Sequence, residues 1–354
     1  MLYRKIPSIG LSSSERNKPD QFFDTLDWTP CNTDFECARF KTPLDYKNPD
    51  AASTSIALIR LPALVPRVAR SLPRASFFLN QAERAQFPPQ ISLNASQDAF
   101  GRSIANDLVR STLAGARDDG SLRFLNTEST ARDMLKIVEA HGQEKLQYWG
   151  FSYGTILGST FAAMFPDKIE RMVIDGVLDA EDYYSAEYRT PFLDIDKTWE
   201  TFLDGCVAAG PNACALHSQN ATAIQAKLDA LERRLLTHPV PTLVNINSST
   251  PEYHTIDYSI LRLTMWNALY TPYKSFQKLA SALDDLISRG DGAALYAMSV
   301  GNSGSPPLYE CPQANGSAED QFAPVMDAGI AVACNDGKRV SADYKDLREH
   351  HEAQ

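Results

Sequence analysis

The sequence predicts an α/β protein in which a mostly parallel sheet is followed by a helical region. Three observations support this fold class. Between residues 126 and 178, two helix patterns alternate with two short strand patterns, and this alternation is typical of a parallel α/β sheet. Beyond residue 179 only helix patterns are evident. Apolar residues make up 44% and charged residues 22% of the 354 residues, a normal composition for a globular protein.

The first hundred residues carry weaker signals. Residues 1–25 are polar and show no periodicity, so we expect a loose N-terminal tail. Ser55 to Val65 is rich in β-branched and aliphatic residues and predicts a strand that ends before Pro66. Residues 66–90 are dense in proline and arginine, and Ala99 to Leu113 is a candidate helix.

The middle of the chain predicts the four alternating elements. The first helix begins at a cap, Asn126 or Thr127, and stops at Gly142, and its apolar residues recur at positions i, i+3, i+4 and i+7. The others follow in order: a strand from Leu146 to Phe151, a helix from Tyr153 to Phe165 and a strand from Arg171 to Leu178.

The last part of the chain predicts helices without good strands. The clearest helical patterns are Ala221 to Leu236, Leu261 to Leu269 and Phe276 to Ile287. We therefore expect three regions: the tail over residues 1–25, a partial core over residues 26–180, and a helical cap region with a C-terminal tail over residues 181–354.

Composition excludes several classes of partner. The formal net charge is -10, so the chain as a whole would be repelled by nucleic acid. No apolar run approaches the length of about 18 residues that a membrane span requires. The N-terminus lacks the continuous apolar stretch of a signal peptide. We expect neither a nucleic-acid partner nor a membrane partner, and the oligomeric state stays open.

The cysteines bear on compartment and on metals. The six cysteines fall into three locally spaced pairs, Cys31 with Cys37, Cys206 with Cys214, and Cys311 with Cys334. Paired cysteines favour an oxidising compartment, whereas the missing signal peptide favours the cytosol, so the localisation stays unknown. No C-x-x-C motif occurs and the histidines show no ligand spacing, so we expect no metal site and no cofactor.

The clearest chemical motif is Gly150-Phe151-Ser152-Tyr153-Gly154, which matches G-x-S-x-G. It lies between a predicted strand and a predicted helix, which is the context of a nucleophile elbow. Side chains at Gly150 and Gly154 would crowd the tight turn that exposes the Ser152 hydroxyl. The helix that follows directs backbone N–H groups at a developing oxyanion, with the Tyr153 amide as one donor. The alternative is an ordinary glycine-flanked turn.

Several segments together resemble one family. They are Tyr148 to Thr155, Phe165-Pro166-Asp167, Asp175-Gly176-Val177, Pro43-Leu44-Asp45-Tyr46 and Cys334-Asn335-Asp336. In these segments the chain is similar to the tripeptidyl-aminopeptidase-like (TAP-like) branch of the α/β-hydrolases, related to proline iminopeptidases, patchily over residues 28–350. The resemblance implies an α/β-hydrolase fold with a helical cap insertion. It also implies a serine hydrolase, often secreted, that acts on a small peptide or ester substrate with Ser152 as the nucleophile.

Two features of that family have no counterpart in the sequence. The family carries a glycine-rich segment that completes the oxyanion hole, whereas residues 1–100 contain one glycine, Gly10. The family's triad acid and histidine follow the cap, and no residue matches their motifs. We therefore expect an incomplete sheet, a truncated chain and little or no hydrolase activity in this polypeptide.

Other residues could stand in for the missing base and acid. His217 and His238 are typical of surface positions, and His350 and His351 of a solvated acidic tail. Asp175 follows a strand beside the elbow strand and could approach an imidazole. The acidic cluster Asp179, Glu181 and Asp182 could bind a substrate amine, but it is more typical of a solvated helix start.

Two functional hypotheses follow. The first is a serine hydrolase, either an aminopeptidase-type peptidase or an esterase-like enzyme, with Ser152 as the nucleophile. The second is a catalytically inactive remnant or pseudoenzyme that acts at most as a binding protein.

Overall fold

The computed structural model describes residues 26–32, 35–60, 99–244, 252–303, 325–341 and 343–352. The chain divides into two compact units. The first consists of Met1–Phe87, Val109–Pro191 and Cys311–Gln354, and the second of Pro88–Leu108 and Phe192–Glu310. The predicted boundary between a core ending at residue 180 and a cap region beginning at residue 181 stays a prediction.

The described residues form short strands and helices of varied length. The strands are β1 (Thr29–Asn32), β2 (Phe35–Pro43), β3 (Ser53–Arg60), β4 (Leu146–Phe151), β5 (Ile169–Asp175), β6 (Val240–Val244) and β7 (Glu252–Ile256). The helices are α1 (Ala99–Arg117), α2 (Thr127–Ala140), α3 (Tyr153–Met164), α4 (Ala180–Ser185), α5 (Ile195–Ala209), α6 (Ala221–Thr237), α7 (Tyr258–Leu269), α8 (Pro272–Ser288), α9 (Ala293–Ser303), α10 (Val325–Asp336) and α11 (Tyr344–Glu352). None of these helices combines the length and the apolar character that a membrane crossing requires.

The parallel pair of β4 and β5, with α3 between them in sequence, organises the first unit. Phe151 at the end of β4 lies opposite Asp175 at the end of β5. Ile156 and Phe161 of α3 are completely buried. The prediction of two adjacent parallel strands is thus confirmed. The second strand ends at Asp175 rather than at residue 178, because Gly176 adopts a φ of +66° that an extended strand does not allow.

The helix before this pair begins and ends at the predicted residues. The side-chain oxygen of Asn126 accepts a hydrogen bond from the N–H of Ser129 at 2.7 Å, which makes Asn126 the N-cap of α2. Gly142 follows the last turn with a φ of +71°, a conformation that suits glycine. Ala131 and Val138 are buried on the inner face, as their spacing predicts.

A three-stranded antiparallel sheet precedes these elements, with β2 between β1 and β3. Pro43 pairs with Ser53, so residues 44–52 connect β2 and β3 directly. A connection this short only reverses the chain, and the strands must therefore be antiparallel. Among the described residues only β4 and β5 pair in parallel, and β1 to β3 belong to a separate sheet, so the mostly parallel sheet stays a prediction. The strand predicted from Ser55 runs to Arg60, and residues 61–65 lie outside the described residues.

The second unit is mainly helical and has its own apolar core. The predicted helices are present as α6, α7 and α8, and α6 buries Ile224, Leu228, Leu231 and Leu235. The expectation that this region lacks strands is wrong, because β6 and β7 form an antiparallel hairpin. The sequence did not predict β6 because this strand contains Pro241, and proline has no N–H to donate to the hydrogen bonds between strands. In a two-stranded hairpin each strand pairs on one side only, which tolerates a proline.

The predicted cysteine pairs are partly within the described residues. Cys206 and Cys214 form a disulfide with Cα atoms 5.3 Å apart, which confirms this pair. Cys37 is also disulfide-bonded, whereas the side chain of Cys31 lies outside the described residues. Cys334 is exposed, and its expected partner, Cys311, lies outside the described residues as well.

A half-buried carboxyl group in α2, that of Asp133, makes the stability of the chain depend on pH. Tyr46 donates a hydrogen bond to Asp133 at 2.5 Å. Burial raises the pKa of Asp133 to about 6, although the hydrogen bond from Tyr46 acts in the opposite direction. An unfolded aspartate has a pKa of about 4, so the folded state binds this proton more tightly. We expect the contribution of Asp133 to the free energy of unfolding to fall as the pH rises from about 4 to about 6.

Urea unfolding across this pH interval, with Asp133→Asn as the comparison, measures the effect. The variant lacks the titrating group, so its free energy of unfolding should fall less between the two pH values. Identical pH profiles for the two proteins would contradict the expectation.

Candidate active site

Ser152 occupies a strained turn between β4 and α3. Its backbone angles are φ 53° and ψ -123°, outside the regions that a serine ordinarily adopts. Such a conformation costs on the order of 1–3 kcal/mol and persists only where the surroundings impose it. The N–H of Ser152 donates to the carbonyl oxygen of Asp175 at 3.2 Å, which ties the turn to the end of β5. The residue is exposed at this edge of the strand pair.

The glycines around Ser152 are required by contact with Tyr148. A β-carbon at Gly150 would overlap the carbonyl oxygen of Gly154 and the ring of Tyr148. A β-carbon at Gly158, which lies in α3 one turn beyond Gly154, would lie 2.7 Å from the same ring. The ring therefore packs directly on the backbone, and a larger residue at either position would require the ring or the backbone to shift. Burial raises the pKa of Tyr148 to about 12, so it keeps its proton.

Two further side chains hold the turn, and the sequence reasoning did not single them out. The hydroxyl of Tyr148 donates to the carbonyl oxygen of Gly154 at 2.6 Å. Thr155 is buried, and its hydroxyl donates to the carbonyl oxygen of Ser152 at 2.7 Å and accepts from the N–H of Leu178 at 3.0 Å. Both residues lie in the segment Tyr148 to Thr155 that carries the family resemblance, and this resemblance was the one sequence feature that pointed to them.

Tyr153, the predicted oxyanion donor, is the first residue of α3. The N–H groups of a first helical turn have no acceptor within the helix, and the helix dipole is positive there. The Tyr153 N–H therefore suits the stabilisation of a negative oxygen near Ser152. Its side-chain hydroxyl lies 2.6 Å from the hydroxyl of Thr127.

The structure places no base on the Ser152 hydroxyl, which has no hydrogen-bond partner among the described residues. His141 instead contacts the carbonyl oxygen of Ile137 at 2.9 Å, and His238 contacts the Thr237 hydroxyl at 2.8 Å. The backbone of α11 includes His350 and His351, but their side chains lie outside the described residues. Asp175 reaches Ser152 through its main-chain carbonyl, and its side chain is exposed.

The acidic cluster after β5 serves local structure. The Asp179 side chain accepts hydrogen bonds from the N–H groups of Glu181 and Asp182, which caps α4. Asp182 in turn accepts from the N–H and the hydroxyl of Thr190 at 3.0 Å and 2.8 Å. These contacts agree with a helix start, the reading that the sequence favoured.

Exposed apolar side chains lie on the strand pair and just after β5. Trp149, Phe151, Val173 and Val177 are each at least half exposed. The rings of Trp149 and Phe151 lie 5.2 Å apart between centroids. An apolar surface of this kind beside a strained serine can contact an apolar substrate group or another element of structure.

Comparisons with known proteins agree with this local geometry. Residues 116–218 match the family described as the alpha/beta hydrolase fold, and the strained turn lies within that range. The chain is 23% identical over 321 residues to the serine protease Hip1 of Mycobacterium tuberculosis, an alignment that covers 75% of this chain and 60% of the relative. The same values hold for Hip1 of Mycobacterium bovis.

A shorter segment is more similar to a second relative. It is 44% identical over 63 residues to the tripeptidyl aminopeptidase of Streptomyces lividans, covering 18% of this chain and 12% of the relative. The chain therefore spans about three fifths of the length of the Hip1 relatives and a smaller share of the aminopeptidase.

Proposed function

We propose that this α/β-hydrolase, similar to serine proteases and tripeptidyl aminopeptidases, hydrolyses peptide bonds with Ser152 as its nucleophile. The observation that carries the proposal is the backbone of Ser152, strained at φ 53° and ψ -123° where a parallel strand meets a helix. The surrounding contacts keep this conformation although it is unfavourable. Strain that is maintained in this way is a feature of functional sites.

The proposed reaction is acyl transfer. The Ser152 oxygen forms a bond to the substrate carbonyl carbon while its proton passes to an imidazole base. The carbonyl oxygen becomes an oxyanion that accepts a hydrogen bond from the Tyr153 N–H. Collapse of this intermediate breaks the carbon–nitrogen bond, and the leaving amine takes the proton from the imidazolium. Water then hydrolyses the acyl-enzyme and regenerates the serine. An ester substrate would react in the same way with an alcohol as leaving group.

The finer architecture belongs to the same proposal. We take the fold to be an incomplete α/β-hydrolase sheet with a helical cap insertion. The helices of the second unit support the cap, and the incomplete sheet rests on the sequence, in which no segment matches the family's glycine-rich loop. The Cys206–Cys214 disulfide supports a secreted protein, because disulfides persist in oxidising compartments.

One observation favours a second candidate function. Among the described residues the Ser152 hydroxyl has no partner, and a serine without a base is a poor nucleophile. The chain would then be a catalytically inactive binding protein. The low activity expected from the sequence is the result that this candidate predicts.

A fluorophosphonate probe distinguishes the two candidates, because it reacts with serines that a base activates. The purified chain is incubated with the probe, digested, and searched by mass spectrometry for the peptide that carries the adduct. We expect the adduct on Ser152. Absence of any adduct, under conditions where a known serine hydrolase is fully labelled, would favour the binding protein.

A further inference from the structure

One carboxylate in the first unit, that of Asp336 at the end of α10, joins elements that are far apart in sequence. Its Oδ1 accepts a hydrogen bond from the N–H of Thr127 at 2.8 Å, and its Oδ2 accepts from the Thr127 hydroxyl at 2.5 Å. The Tyr183 hydroxyl donates to the same Oδ2 at 2.9 Å. Thr127 begins α2 and Tyr183 lies in α4, so this carboxylate connects three helices.

The contact continues from Thr127 to Tyr153, and its direction follows from counting protons. An ionised carboxylate only accepts, so the single hydroxyl proton of Thr127 is donated to Asp336. The oxygen of Thr127 is then an acceptor for the Tyr153 hydroxyl, 2.6 Å away. Burial raises the pKa of Tyr153, so the tyrosine has a proton to give. The hydrogen bonds form one directed chain from Tyr153 through Thr127 to Asp336.

We propose that Asp336 is a positioning residue for the Ser152 turn and acts through Thr127 on Tyr153. The inference rests on the proposed function. Tyr153 directly follows Ser152, so fixing its side chain restricts rotation of the peptide unit whose N–H is the proposed oxyanion donor. Tyr183, held by the same carboxylate, packs with its ring 6.1 Å from the ring of Tyr153 and limits movement on a second side.

Further hydrogen bonds fix the segment of the chain that carries this carboxylate. The Asn335 side chain donates to the carbonyl oxygens of Leu122 at 2.7 Å and Leu125 at 2.9 Å, in the segment just before α2. On the other side of Asp336, the N–H of Lys338 donates to the carbonyl oxygen of Tyr184 at 2.8 Å. The end of α10 is therefore anchored to the segments that precede α2 and form α4. An anchored acceptor can hold Tyr153 in one place.

The test compares Thr127→Val with Thr127→Ser. Valine keeps the shape of threonine and its backbone N–H but breaks the chain between Tyr153 and Asp336, whereas serine restores the hydroxyl. Two quantities are measured: the rate of fluorophosphonate reaction at Ser152, and amide hydrogen exchange over residues 152–155. We expect valine to slow the reaction by about 10- to 100-fold and to increase exchange in this turn, because small displacements at a reacting centre have large effects on rate. Serine should restore both quantities.

The matched control is Tyr46→Phe, which removes another tyrosine-to-aspartate hydrogen bond in the same unit. We expect it to leave both quantities unchanged. Equal effects of Tyr46→Phe and Thr127→Val would mean a general loss of stability and would overturn the proposal, as would unchanged values in Thr127→Val. A wild-type chain that does not react with the probe would contradict the proposed function. If amide exchange over residues 152–155 still increases in Thr127→Val and returns to the wild-type value in Thr127→Ser, the positioning of the turn stands.

Discussion

Replacing Gly150 by alanine is expected to lower the free energy of unfolding by about 1–3 kcal/mol and to slow the reaction of Ser152 by about 100-fold. The new β-carbon would overlap the carbonyl oxygen of Gly154 and the ring of Tyr148. Neither group can move independently, because the Tyr148 hydroxyl donates to that same carbonyl at 2.6 Å. The start of α3 must shift, and Ser152 shifts with it.

Gly115→Ala is the matched control for this substitution. Gly115 lies in α1, where a β-carbon would meet no atom within 4 Å, and alanine favours helix more than glycine does. We expect this variant to keep the reaction rate and to be as stable as the wild type or more so. Urea unfolding and the rate of fluorophosphonate reaction measure both effects. A Gly150→Ala protein that reacts at the wild-type rate would show that the turn tolerates a side chain there.

The parts of the site that the sequence predicted are those that depend on neighbouring residues. Gly150, Ser152 and Gly154 lie within five positions, so one motif between a strand pattern and a helix pattern was enough to locate the turn. The cap at Asn126 and the stop at Gly142 also depend on local backbone chemistry. The resemblance to the α/β-hydrolases, which extended these local signals, is confirmed by the match over residues 116–218.

The parts that the sequence did not predict depend on distant partners. Asp336 and Thr127 are 209 positions apart, and no periodicity relates a carboxylate to a hydroxyl over that distance. The hairpin of β6 and β7 was missed for another reason, since Pro241 in β6 argues against a strand wherever both edges must pair. The ring of Tyr148 leaves no room for a β-carbon at Gly150 or Gly158, and this requirement for glycine is evident only once the contact is known.

Removing the hydroxyl of Ser152 separates the two properties of this residue, its strain and its reactivity. Ser152→Ala and Ser152→Gly both lack the proposed nucleophile, so we expect both to reduce the proposed peptide hydrolysis to the background rate, a loss of up to about 10⁶-fold. They should differ in stability. The angles φ 53° and ψ -123° are unfavourable for alanine but accessible to glycine. We expect the glycine variant to be more stable than the alanine variant by about 1 kcal/mol, since the greater freedom of glycine in the unfolded chain offsets part of the relieved strain.

Hydrolysis of short unblocked peptides and urea unfolding are measured for both variants and for Ser159→Ala. Ser159 lies on the same helix, and its hydroxyl donates to the carbonyl oxygen of Ile156 at 3.0 Å. A serine seven residues further along this helix should be replaceable with little change in rate. Hydrolysis that survives in Ser152→Ala would assign the reaction to a different nucleophile. A glycine variant no more stable than the alanine variant would mean that the turn around Ser152 relaxes once the hydroxyl is removed, and the strain would then depend on the serine side chain itself.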